Sequence, residues 1–546
     1  MDEKQEKHQI SSSSDSIQND KEYYTGDVAS VEQQESVEKK EPYKLKRTLK
    51  SRHLSMISLG GVIGQGLFLS AGGNLYQGGP AGALIAYAII GFIVFWVAYS
   101  LGEMATYIPV SGSFTVFARR FVDHSFGAMI GYNYWGCWAI IVAAELVALP
   151  LVMQFWTDKV PDAAWSLMWL VIIFILNLFG ARGYGEAEYW FSMIKVLTII
   201  IFIIVGAFIS GGVIGDEVYG FKYWQNGGAF PHGALGVVNS FVLASFSMQG
   251  TEIIGITAGE CSNPLKQVPR AIKNVVWRIV IFYLCSVFIM GQIIPWDDKS
   301  NLNKDSQDAT VSPFTLVFEK GSLDAVAQIM NVVILITVLS CANSGLYVST
   351  RTLCALANEG IAWRRLGYIN RWGVPIYALT CSALVSIVTF VTSLIPGKAL
   401  YSVLTSLSGV AGFVTWAGIA LSHYRFRKAF IAQGKDLSII PMRAPWHPFG
   451  DLFVMIACCV IALMTGYSYF YPPDAVGLVG NYAGIIMCAI GWAITKWWTK
   501  SKMIPPAEID VDTGVSEQIG KPQEEENDIT GNFFQRTFKR LVIIFT

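Results

Sequence analysis

The sequence predicts an all-α polytopic membrane protein with twelve transmembrane helices. First, 53% of its 546 residues are hydrophobic and only 15% are charged, against about 25% charged in soluble domains. Second, the apolar residues come in blocks of about 20, enough for a helix to cross ~30 Å of hydrocarbon. Third, Lys and Arg crowd into alternate loops between those blocks, as a fixed orientation demands. Net charge is zero, so the balance points to no acidic or basic partner and to no nucleic acid.

Taken in order, residues 1–50 are rich in Ser, Gln, Glu and Lys, with a serine run at 11–14. Such a segment cannot bury enough apolar surface to order itself and reads as a disordered tail. No basic stretch followed by an apolar core stands near Met1, so the first span is expected to be its own insertion signal. A twelve-helix domain follows over 51–500. Its apolar spans lie near 54–77, 81–107, 126–154, 163–180, 188–211, 234–257, 275–294, 324–350, 375–395, 402–422, 449–471 and 479–498. Residues 501–546 form a second polar tail, whose end at 533–545 mixes aromatic and basic residues and is expected on the membrane surface.

With the amino terminus inside, the inner loops hold sixteen Lys and Arg, Arg278, Arg351, Arg425 and Arg427 among them, against six in the outer loops. That bias places both tails in the cytoplasm. The nine cysteines lie mostly within apolar blocks and read as free thiols. Cys458-Cys459 has no His or further Cys nearby, and the six histidines are scattered, so no metal site is expected. His423, beside Arg425, Arg427 and Lys428 at a span end, reads as part of a headgroup-facing cluster.

The first span contains Gly60-Gly61-Val62-Ile63-Gly64-Gln65-Gly66-Leu67-Phe68. Four glycines weaken a helix there by roughly 1 kcal/mol each. Backbone released from helical bonding in a bilayer survives only where protein buries it or it lines a wet cavity. Tight packing of small residues against a neighbouring helix is the plainer account. A nucleotide-binding turn is excluded, because it needs a preceding strand in a soluble α/β unit.

The sixth span repeats the theme with Phe246-Ser247-Met248-Gln249-Gly250-Thr251-Glu252. Two broken helices five spans apart are what an inverted five-plus-five repeat produces, with the ligand at the repeat interface. Free N–H groups at a half-helix start suit a carboxylate, and unwound carbonyls suit an ammonium. Together they describe a site for a zwitterion, an α-amino acid. Glu145, Lys195 and Glu252 sit inside spans, where a charge costs about 2.5–3.5 kcal/mol even on lenient scales and usually serves a pathway. A structural pair, one carboxylate neutralising Lys195, is the alternative.

The run Gly61 to Phe68 resembles the opening motif of the fungal amino acid permeases, within the amino acid–polyamine–organocation superfamily. Gly78-Gly79-Pro80 through Leu101-Gly102-Glu103-Met104 is similar to the family's second-helix signature. Gln249-Gly250-Thr251-Glu252, Ala258-Gly259-Glu260, Asn263-Pro264, Val268-Pro269-Arg270, Ala342-Asn343-Ser344 and His423-Tyr424-Arg425-Phe426 match as well, so the likeness covers about residues 45–500. It implies a LeuT-like core of two inverted five-helix repeats plus two peripheral helices. It also implies proton-driven amino acid uptake at the plasma membrane, with no enzyme activity and no cofactor beyond the proton gradient.

Carried over by position, the resemblance gives substrate carboxylate binding to backbone at Gly64, Gln65 and Gly66. Carbonyls near Val62 and Ile63, and near Phe246 and Gln249, would take the ammonium; Gly250, Thr251 and Glu252 complete the second break. Phe246 resembles an aromatic gate. Lys195, in Ser192-Met193-Ile194-Lys195-Val196, is similar to a fifth-helix lysine that stands in for bound sodium, which makes it the proton-coupling candidate. Burial penalises a lysine's charged form, so its protonation answers to its surroundings.

Ile130-Gly131-Tyr132, Gln154-Phe155-Trp156 and 408–413 look closest to the basic amino acid permeases. Glu145 would then meet a cationic side chain, with Thr405 and Ser408 tuning the pocket, though permeases for neutral amino acids look similar at Glu145 and Glu252. A broad or neutral amino acid permease therefore stays open, as does a sensor that binds without transporting, although known sensors carry a much longer amino-terminal extension. A channel needs a continuous polar ring, which three isolated charges do not supply. Lysines beside serines and acidic residues in both tails suit ubiquitination and endocytic control; solvated disorder explains the same composition.

Overall fold

The computed structural model describes residues 63–519 except 111, 158, 216, 260–262, 299–311, 394–396 and 517–518. Gly60, Gly61 and Val62, the predicted amino-terminal tail and the 533–545 stretch lie outside the described residues. The described chain is all-helical, with no strand among its elements. Eight of its helices are long and apolar enough to cross a membrane, and two shorter apolar helices, Asp162–Leu178 and Ile376–Phe390, accompany them. The chain is an all-α polytopic membrane protein.

Helix α1 (Gln65–Phe68) runs through Leu69 into α2 (Ser70–Tyr107). The first and second predicted spans meet inside α2 at Gly79, which adopts φ 68° and ψ 178°. A Cβ there would meet the Ala229 carbonyl at 2.7 Å, so only glycine fits the corner. Pro80 follows, where its ring opens the next helix without forfeiting a hydrogen bond.

A short helix, α3 (Ser113–Phe121), precedes α4 (His124–Met153), which Asp123 caps by accepting the Phe126 N–H. Next come α5 (Asp162–Leu178) and α6 (Gly180–Ser210). The sixth span is divided into α7 (Gly233–Met248) and α8 (Ile253–Ala258). The seventh is a continuous run of α9 (Pro264–Trp277), a π-helical stretch (Arg278–Leu284) and α10 (Cys285–Ile293). The short α11 (Pro313–Lys320) leads into α12 (Asp324–Asn358). Then follow α13 (Ile376–Val385), α14 (Gly397–Ala432), α15 (Phe449–Met464) and α16 (Ala475–Thr499).

The densest packing runs between α2 and α7 and between α4 and α12, with α14 against α4, α15 and α16. Helix α16 lies at the periphery: Ile486, Met487, Ile490, Ile494, Trp497 and Trp498 are all exposed. Such a face is stable only against hydrocarbon. All eight described cysteines are free thiols.

Several helices outrun their apolar windows, because helical hydrogen bonding continues past the hydrocarbon boundary. Helix α6 begins at Gly180, not near 188, and the seventh run begins at Pro264, not near 275. This corrects the loop census: Arg278, Arg351, Arg425 and Arg427 lie on helices and are buried. The start of the carboxy-terminal tail also packs on the helix ends. Arg425 Nε donates to the Phe121 carbonyl at 2.6 Å, and Ile504 N donates to that of Val122 at 3.0 Å. Gln433 Nε2 donates to the Ile509 carbonyl at 2.7 Å, and Ser516 N to that of Tyr107 at 3.0 Å. Ile509 and Val511 are buried.

Candidate functional site

The two glycine-broken stretches face each other. Ile63 and Gly64 are non-helical, Gly64 being extended at φ −123°, and helix begins at Gln65. The first N–H groups of a helix have no intrahelical partner. In the sixth span, α7 stops at Met248, Gln249 turns extended, and Gly250 takes φ 95°, a left-handed angle that favours glycine. Gly66 is pressed against Ser247, so that a Cβ would overlap the Ser247 backbone.

Between the breaks lies a narrow cavity of about 20 Å³, room for roughly one water. Gly64, Gly66, Glu145, Phe246 and Gln249 line it, as do Trp138, Ile141, Ser247 and Cys341, which the sequence reading did not single out. Glu145 is wholly buried, with the Cys341 thiol beside its carboxyl group and no amide, hydroxyl or cation in contact with it among the described residues. Neither amide atom of the buried Gln65 side chain has a hydrogen-bond partner among the described residues. Leaving a buried donor or acceptor unmade costs about 1–3 kcal/mol, more for a charged group.

Ile63, Gln65, Gly250, Thr251, Glu252, Thr405 and Ser408 lie outside that lining. Gln249 Nε2 donates to the Ser408 carbonyl at 2.5 Å, fastening the sixth-span break to α14. The Cys137 thiol donates to its Oε1 at 3.4 Å. Glu252 accepts from the Gly250 N–H at 3.1 Å and from Trp416 Nε1 at 3.4 Å. The buried Arg278 guanidinium, on the π-helical stretch, donates to the Thr251 hydroxyl. Ile63 is buried beside Gly64. The Thr405 and Ser408 hydroxyls donate along their own helix, to the Tyr401 carbonyl at 2.9 Å and the Thr405 carbonyl at 3.0 Å.

Lys195 is wholly buried outside the cavity lining, with Nζ 3.4 Å from Oε1 of Glu188. Glu188 also accepts from Ser340 Oγ at 2.8 and 2.9 Å and from Ser192 Oγ at 3.3 Å. Glu188 escaped the sequence reading because the fifth span was started at its position. The spacing of Glu188, Ser192 and Lys195 on one helix face was the available signal.

One sequence expectation is overturned. His423 does not face headgroups; it is wholly buried between Glu103 on α2 and Asp451 on α15. The histidines are not all scattered either, since His447 also contacts Asp451, at 2.7 Å.

The model of the family described as amino acid permease matches residues 53–504. The lysine-specific permease LysP of Escherichia coli is 44% identical over 452 residues, covering 82% of this chain and 92% of its own. The histidine permease HisP of Lactococcus lactis is 41% identical, covering 86% and 98%. The lysine-specific permease of Saccharomyces cerevisiae is 40% identical, covering 86% and 78%. These relatives are permeases, transporters and not enzymes, whose substrates are amino acids and whose helices lie in a membrane. The chain belongs to the amino acid permease family.

Proposed function

We propose that the protein drives uptake of cationic amino acids, lysine and arginine, into the cell with protons, by alternating access at the plasma membrane. The observation that carries this reading is the buried Glu145 carboxylate, with no cation in contact among the described residues, in the cavity between the two breaks. A buried carboxylate with no cation beside it calls for one, and a lysine or arginine side chain brings one along with its zwitterion. The substrate carboxylate then meets N–H groups at Gln65 and Gly66, and the ammonium meets carbonyls around Phe246 and Gln249. The relatives named for lysine favour the same class.

Because the cavity holds little more than a water, substrate entry displaces Phe246 and Trp138, and their return closes the site. Lys195 gains or loses its proton as the first helix moves. On this reading both termini lie in the cytoplasm, where the tails serve ubiquitination and endocytic turnover.

Reconstitution in liposomes with an imposed pH gradient tests the reading. Uphill accumulation of labelled lysine and arginine, collapsed by a protonophore, is the expected result. Leucine accumulated in preference to both would overturn the substrate assignment. Accumulation indifferent to the pH gradient would overturn the coupling.

A further inference from the structure

Away from the cavity, seven residues beyond Trp416 and so about 10 Å further along α14, a second polar cluster joins three helices. His423 and Arg427 project from successive turns of α14, Glu103 comes from α2, and Asp451 lies in the first turn of α15 with His447 just before it. His423 Nδ1 lies 2.8 Å from Asp451 Oδ1, and His447 Nδ1 lies 2.7 Å from Asp451 Oδ2. The two imidazole rings stand at 90° to each other, with centroids 5.6 Å apart. One ligand atom from each of His423, His447 and Asp451 falls within 4.8 Å of the others.

The surroundings orient these groups as a metal site's outer contacts do. His423 Nε2 lies 3.0 Å from Glu103 Oε2, the carboxylate–histidine pairing that presents the opposite ring nitrogen to an ion. Glu103 is itself held by Arg427 Nη2 at 2.8 Å and by the Ala444 N–H at 2.7 Å. Ser100 Oγ donates to Asp451 Oδ1 at 3.0 Å, fixing the third ligand. His423 and Asp451 are buried, while the His447 side chain is 16% exposed and marks the way in.

We propose that His423, His447 and Asp451 bind a divalent transition-metal ion of the zinc class. Two imidazoles and one carboxylate are a common three-ligand set for Zn²⁺, leaving a fourth position for water. With bonds of about 2.0–2.1 Å, tetrahedral ligands stand roughly 3.3 Å apart. The two imidazole–carboxylate contacts therefore open by about half an ångström, while ligand atoms now up to 4.8 Å apart close in on the ion. On binding, the protons that bridge the two Nδ1 atoms to Asp451 leave to water. The ion ties α15 to α14 and, through Glu103, to α2.

The test uses the full-length protein in detergent, stripped with a chelator and titrated with ZnCl₂, with metal content measured after desalting. One zinc per chain is expected for the unaltered protein and for His232→Gln, a histidine remote from the cluster. His447→Gln and Asp451→Asn are expected to lose it, and Co²⁺ is expected to give the visible bands of a tetrahedral centre. Because His447 is partly exposed, its replacement leaves the buried contacts between Glu103, His423 and Asp451 in place. The proposal is overturned if the unaltered protein retains no stoichiometric zinc and gives no tetrahedral cobalt spectrum. It is equally overturned if His447→Gln binds zinc as well as the unaltered protein.

Discussion

The Nζ of Lys195 and the Oε1 of Glu188 lie 3.4 Å apart, and both side chains are wholly buried. Two charges removed from water are tolerated only because each answers the other and Ser340 fills the remaining carboxylate positions. Removing one partner strands the other, at a cost of about 3–5 kcal/mol, whereas replacing both by apolar groups is often nearly neutral. Glu188→Leu is therefore expected to lower the melting temperature of the purified protein sharply. Glu188→Leu with Lys195→Met should recover most of that loss while giving no concentrative uptake.

Proton coupling gives a separate expectation. Lys195→Ala, compared per molecule at the cell surface because it strands Glu188, should abolish uphill, pH-driven lysine uptake while leaving downhill exchange measurable. Retention of concentrative uptake that responds to external pH would remove Lys195 from the mechanism.

The glycines of the first break should differ in tolerance. Gly66→Ala places a methyl in the Ser247 backbone, which cannot yield without moving α7. Gly64→Ala meets the Cys341 Sγ at 2.7 Å, a side-chain contact. Labelled-lysine uptake should vanish in Gly66→Ala and fall in part in Gly64→Ala, and Cys341→Ala should partly restore the latter.

The docked carboxy-terminal segment supplies a test outside the membrane. Val511 is wholly buried, so Val511→Asp should release residues 504–516 and speed their proteolysis with little effect on the helices. Asp510, although burial pushes the other way, is held below the usual carboxylate range by the Thr513 and Asp512 N–H groups. Its ionised form therefore supports docking at every pH above about 4 and is lost only as pH falls further. Proteolysis of the segment should thus be flat from pH 8 to 5 and rise only in stronger acid.

Much of this was legible in the sequence. Hydrophobic blocks announce helices, since no other open structure satisfies the backbone in hydrocarbon. Gly64, Gly66 and Gly250 announce breaks, because glycine is what a left-handed or closely approached backbone requires. Helix ends were less legible. A hydropathy window ends where the membrane does, while the helix carries on, and this left Glu188 at the very edge of the span read for it.

What the sequence alone determined, then, is an all-helical membrane chain with glycine-rich stretches in its first and sixth spans, and with carboxylates and a lysine where hydrocarbon should be. Only the tertiary structure decided which charges meet. Glu145 is left open to the cavity, and His423 finds Glu103 across 320 residues and Asp451 on another helix. Pairing of buried charges depends on distances of a few ångströms between helices far apart in the chain, and electrostatic attraction in a low-dielectric interior rewards those distances alone.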